Sequence, residues 1–120
     1  MSQVLLVDDN PVQLQVREAI LRSAGFRVSI ATSAEIALAL LRTASQHFGL
    51  VITDHIMPGT GGAEFVKRLR EGGETVPVVV LSGLPDAEAE YAGLEVEFRL
   101  KPLPPLELIE LVRREIKNAA

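Results

Sequence analysis

Apolar residues in this chain switch repeatedly between two spacings, and each switch marks a change of element. Val4-Leu5-Leu6-Val7 is a short apolar run followed by acids, which suits a strand buried on both faces. From Pro11 to Ala24 the apolar residues Val12, Val16, Ala19, Ile20 and Ala24 recur at helical spacing, with proline near the start and Gly25 as the expected C-terminal cap. Residues Arg27 to Ala31 alternate as a second strand. Thr32-Ser33-Ala34-Glu35 has the form of a capping box and opens an Ala/Leu-rich helix running to about Arg42 or Thr43. Leu50-Val51-Ile52 is a third strand that ends at Asp54. The helix after Gly62 places Phe65, Val66 and Leu69 on one face and stops at Gly72-Gly73. Val76 to Leu81 is a β-branched strand, and a brief helix around Asp86 to Ala92 leads to a last strand, Val96 to Leu100. Pro105 opens a final helix through about Lys117, with Leu108, Ile109, Val112 and Ile116 as its inward stripe.

Five strands strictly alternating with five helices predict one α/β domain over residues 1–120: a five-stranded parallel sheet, doubly wound and flavodoxin-like, with helices on both faces. Right-handed crossovers place the helices there. In such folds ligands bind outside the carboxyl ends of the strands, where the strand order reverses. Four polar segments fall on that edge: Asp8-Asp9, Asp54, Ser82 and Lys101-Pro102. Each has a plainer use in isolation. Asp8-Asp9-Asn10-Pro11 can simply end a strand and cap a helix, and Asp54 with Pro58 and Gly59 can be only a turn. Their joint convergence is what argues for a site.

Composition narrows the functions available. At 120 residues and 48% hydrophobic, the chain can bury a real core, and no apolar run approaches the length of a membrane span. No secretory leader is recognisable, which predicts a cytoplasmic location. The absence of cysteine excludes disulfides and thiolate metal sites. A net charge of −4 argues against a nucleic-acid footprint. His47 and His55 lack partners at ligand spacing and read as ordinary loop or surface residues. What remains is an acidic pocket holding a hydroxyl and an ammonium. Crowded carboxylates repel, and a hard cation such as Mg²⁺ relieves that repulsion while keeping waters and a place for phosphate oxygens. The implied chemistry is phosphoryl transfer to an aspartate.

These residues resemble a response-regulator receiver domain over essentially the whole chain. The similarity lies in Val4-Leu-Leu-Val-Asp-Asp-Asn-Pro11, in Asp54-His-Ile-Met-Pro-Gly59 with Gly62, in Leu81-Ser-Gly83, and in Phe98-Arg-Leu-Lys-Pro102. The resemblance implies Asp54 as the phosphorylated nucleophile. It implies Mg²⁺ held by Asp9 and Asp54, by Asp8 through a water, and by the backbone carbonyl of Ile56. Lys101 would offer its charge to phosphoryl oxygens or to Asp54, Ser82 would donate a hydrogen bond, and the Lys101–Pro102 peptide would be cis. Ser82 and Phe98 would form the switch that remodels the face of the fourth helix, fifth strand and fifth helix. A histidine kinase or histidine phosphotransfer protein is the implied donor, a downstream protein binds the switched face, and neither nucleic acid nor membrane is an expected partner. Arg17, Glu18 and Arg22 on the first helix are expected at the surface, where they help choose the donor.

Departures from the family pattern matter. The stretch between Ser82 and Lys101 is short, so Leu84 to Glu88 suggests a stunted fourth helix, as in receivers attached to hybrid histidine kinases. The sequence carries no evident output domain. Ile56 and Leu84, two residues beyond Asp54 and Ser82, are apolar and cannot orient a water, which predicts slow loss of phosphate. Aspartyl-phosphate hydrolases instead carry a second acid where this chain has Ile56. A flavodoxin-like cofactor binder would need a phosphate-binding loop where Asp8-Asp9 stand.

Overall fold

The computed structural model of the chain describes residues 3–43 and 47–119; Ala120 and the first two residues lie outside it. The strands are β1 (Gln3–Val7), β2 (Arg27–Ala31), β3 (Phe48–Asp54), β4 (Val78–Ser82) and β5 (Val96–Leu100). They alternate with helices α1 (Pro11–Ser23), α2 (Ala34–Arg42), α3 (Gly62–Glu71) and α4 (Pro105–Ala119). Between β4 and β5 the expected helix is a 3₁₀ segment, Pro85–Tyr91. All neighbouring strands are parallel, in the order β2-β1-β3-β4-β5. The doubly wound fold read from the alternation of periods is thus the fold observed, and the strand order reverses between β1 and β3.

Two-faced burial follows from the strand period of two. Leu5, Val7, Val51, Val78 and Val80 pack on Ala34, Leu38, Phe65, Val66 and Leu69, forming the layer beneath α2 and α3. Val4, Leu6, Leu50, Ile52, Val79 and Leu81 point the other way, against Leu14, Leu21, Leu108, Leu111 and Val112 of α1 and α4. Full burial of each such leucine or valine stabilises the fold by roughly 2 kcal/mol relative to exposure.

Several local expectations shift. The buried face of α1 is Leu14 and Leu21, whereas Val12 and Val16 are 65% and 52% exposed. Residues 14, 17, 18 and 21 share one helical face, so Arg17 sits on the inward side rather than at the surface. The helix ends with Gly25 at φ +94° directly after the Ala24 cap, and Gly25 and Phe26 amides donate to the Arg22 and Leu21 carbonyls. In α2 the cap is Ser33, which accepts from the Ile36 amide. Glu35 is then one residue short of the position a capping box requires, and its carboxylate instead accepts from the Thr60 hydroxyl at 2.6 Å. β4 begins at Val78, since Pro77 has no amide to donate. Leu111 joins the inward stripe of α4 ahead of Ile109 and Ile116, which are only partly buried. The 3₁₀ segment follows from length: Pro85 opens it without a side-chain cap, and Gly93 at φ +79° closes it within a turn or two.

Candidate functional site

The carboxyl ends of β1, β3, β4 and β5 bring the four polar segments together. Asp8 and Asp9 follow β1 at the switch point, and Asn10 caps α1 by accepting from the Val12 and Gln13 amides. Cap and acids therefore share one turn without competing. Asp8 is buried and Asp9 exposed. Asp54 ends β3 in the adjacent strand and is 6% exposed. Single carboxylate oxygens of Asp8, Asp9 and Asp54 lie within 4.8 Å of one another.

Cations meet two of these acids. The Lys101 ammonium contacts Asp54 Oδ1. That contact is one of charge: Oδ1 is buried and has no aligned hydrogen bond among the described residues. Lys101 is positioned by its amide, which donates to the Ser82 carbonyl at 2.8 Å, and its peptide bond to Pro102 is cis. On the opposite side, Arg17 Nη1 donates to Asp8 Oδ2 at 2.9 Å, with the side chains 13% and 2% exposed. The second Asp8 oxygen accepts from the Asn10 amide at 3.0 Å. Arg17, expected among solvated residues of α1, is instead part of the pocket. Its signal in the sequence is its position three residues after Leu14 and four before Leu21.

The hydroxyl and the ring lie where the strand ends place them, with local partners. Ser82 is buried, accepts from the Leu84 amide at 2.9 Å and donates to the Leu84 carbonyl at 3.3 Å. Phe98, half-buried on β5, packs on the α2–α3 layer, its ring centroid 6.1 Å from that of Tyr91. Ile56 and Leu84 are 62% and 50% exposed.

His55 departs from its expected role as an ordinary surface residue. Its ring is largely buried, edge-on to Tyr91, with Nδ1 2.6 Å from the Tyr91 hydroxyl. Burial, reinforced by the charges of Glu90 and Asp54, pushes the Tyr91 phenol well above its usual range. The phenol therefore stays protonated and shares a hydrogen bond with His55 Nδ1, while the other ring nitrogen, Nε2, lies 3.4 Å from Glu90. Sequence reasoning passed over Tyr91; its signal was its standing as the lone tyrosine of the chain, two residues before a glycine stop.

Fold and pocket together define a class: doubly wound α/β domains with an acidic, lysine-closed pocket at the switch point. The chain belongs to the response regulator receiver domain family, whose profile it matches over residues 4–113. It is 37% identical over 118 residues to the two-component response regulator ORR6 of Oryza sativa subsp. japonica, covering 92% of this chain and 69% of that protein. It is 29% identical to the alkaline phosphatase synthesis transcriptional regulatory protein SphR of Synechococcus elongatus, but spans only 50% of that protein. Among solved structures, chemotaxis protein CheY4 of Vibrio cholerae aligns with a TM-score of 0.84 at 30% identity, over 95% of this chain and 98% of that one. Receiver domains are signalling modules of two-component systems rather than conventional enzymes, and they interact with histidine kinases or phosphotransfer proteins. They generally bind Mg²⁺ at an acidic aspartate cluster. The donor set here fits that ion: three convergent carboxylates, one with a buried oxygen that lacks a hydrogen bond. No helix among the described residues is long and apolar enough to cross a membrane.

Proposed function

We propose that the domain, taken as one unit over residues 1–120, accepts a phosphoryl group on Asp54 from a phosphohistidine of a kinase or phosphotransfer protein. The observation that carries this reading is the Asp54 carboxylate itself, buried at a strand end between the Lys101 ammonium and two further carboxylates. The N–P bond of the donor breaks as an Asp54 oxygen bonds to phosphorus, and the released imidazole nitrogen takes a proton from solvent. A carboxylate is a weak nucleophile, so the protein's contribution is position and charge. Asp8, Asp9, Asp54 and the Ile56 carbonyl would hold Mg²⁺, which when bound offsets charge on the phosphoryl oxygens. Lys101 turns from Asp54 toward those oxygens. Ser82 exchanges its Leu84 partners for one of them, and Phe98 moves into the space vacated. The 3₁₀ segment, β5 and α4 form the face this rearrangement remodels for a downstream protein. Catalysis is limited to the domain's own phosphorylation and later hydrolysis, and the reading places it in the cytoplasm, where phosphohistidine donors are made.

The test is an NMR titration with beryllofluoride or acetyl phosphate in the presence of Mg²⁺, comparing wild type with Asp54→Ala. Amide shifts around Asp54, Ser82 and Phe98 are expected in wild type and absent in the variant. Lack of shifts in both proteins, at saturating Mg²⁺, would leave a constitutive binding module as the better reading.

A further inference from the structure

In the pocket as it stands, two cations already face three carboxylates: Lys101 on Asp54 and Arg17 on Asp8. The pairing is uneven. Lys101 reaches in from β5 with a third of its side chain exposed, while Arg17 and Asp8 are almost fully withdrawn from solvent. Both Asp8 oxygens are engaged, one by the guanidinium and one by the Asn10 amide, and Asp9 alone has no hydrogen bond or ion pair among the described residues. A divalent ion drawn to the three acids would thus meet a pocket with one net negative charge, and would compete with a desolvated ion pair for Asp8.

We propose that Arg17 is a built-in counter-ion of the metal site, one that occupies Asp8 in the metal-free domain and lowers its affinity for Mg²⁺. The inference rests on the metal reading given above and adds the residue that sets its strength. Arg17 comes from the inward face of α1, between the core leucines 14 and 21, so its stem is held by packing and its fork is aimed at the end of β1. Charge–charge energy between a site near the surface and a unit charge several ångströms away is large enough to move an affinity by a decade or more. Replacing Arg17 by a neutral residue removes both the repulsion and the competition for Asp8. Mg²⁺ binding should then tighten, about tenfold, even though a contact has been lost. A residue that merely held Asp8 in place would give the opposite sign, because its loss would loosen a ligand.

Mg²⁺ titrations followed by amide shifts of Asp9, Asp54 and their neighbours test this without any phosphoryl donor. Arg17→Met and Arg17→Gln should each bind Mg²⁺ about tenfold more tightly than wild type, and Arg17→Lys, which keeps the charge, should stay within about threefold. Unchanged or weaker binding in the neutral variants overturns the inference while leaving the metal site intact. Loss of a dispersed amide spectrum in both neutral variants also overturns it, because the ion pair would then serve the fold. If no protein in the series, wild type included, responds to Mg²⁺, the metal reading itself fails.

Discussion

Gly62 shows how tightly single residues constrain the pocket. It is the first residue of α3, and a Cβ there would lie 2.6 Å from the Tyr91 hydroxyl, 2.7 Å from the Asp54 carbonyl and 3.0 Å from the His55 Cα. Two of these obstacles are backbone. Gly62→Ala should therefore cost about 2 kcal/mol in urea unfolding, although helix propensity alone favours alanine. Equal or greater stability would show that the loop after Asp54 can yield. Beside the same loop, Ile56 and Leu84 are exposed, and their side chains offer no polar atom to an attacking water. Ile56→Asn and Leu84→Glu should each speed loss of phosphate from Asp54, on the order of tenfold, because a positioned water reacts faster than a free one. A decay rate indistinguishable from wild type in both variants would count against any control of lifetime at these positions. The acids, Ser82 and Lys101 were legible from sequence because each follows an apolar strand. Arg17 and His55 were not, since a lone arginine within a helix or a histidine in a loop reads as solvated until the packing around it is known.

Elements were legible where a period ran long enough to be unambiguous. The strands and the long helices emerged within a residue or two. The face of α1 was legible only in part: Ile20 packs on the core as its spacing suggested, but Val12 and Val16 imitate an inward stripe while the fully buried positions are Leu14 and Leu21. The capping box failed by a single residue, with Ser33 rather than Thr32 as cap, and the stunted fourth helix took the 3₁₀ form that its seven residues permit. β5, an edge strand, is tied to α4 by a small ionic cluster. Glu97 accepts from Arg99 at 2.7 Å and from Arg114 of α4 at 2.8 Å. Partial burial pushes the Glu97 carboxyl up, but hydrogen bonds and charges from the two guanidiniums outweigh it and hold the group below its ordinary 4.5. A lowered folded-state pKa contributes stability that is present above 4.5 and is lost as pH falls through the depressed value. At neutral pH Glu97→Gln should thus be less stable than wild type by about 1 kcal/mol, and the gap should close in acid below 4.5. Urea midpoints across that range measure it; a gap independent of pH would mean the cluster acts by packing alone.

At the scale of the molecule, the two edges of the sheet divide the work. At the amino-terminal edge, Arg70 of α3 donates to the carbonyls of Glu74, Val76, Leu94 and Glu95, locking the starts of β4 and β5 together. At the carboxyl edge the strand ends are stitched by single hydrogen bonds, from the His55 amide to the Leu81 carbonyl and from the Lys101 amide to that of Ser82, and there the acids, the hydroxyl and the lysine converge. That convergence was readable from topology alone, because a parallel sheet sends every strand end the same way. How the pocket's charges pair depends on packing across α1 and β5 that no strand period encodes. The acids and lysine of the pocket run from residue 8 to residue 101, with no local fragment containing more than a corner of it. On the reading proposed above, a chain still emerging from the ribosome has Asp54 without Lys101 beside it until β5 is complete. On that reading the pocket is whole only when the ends of β1, β3, β4 and β5 stand side by side in the finished sheet, which ties the site to the folding of the entire domain.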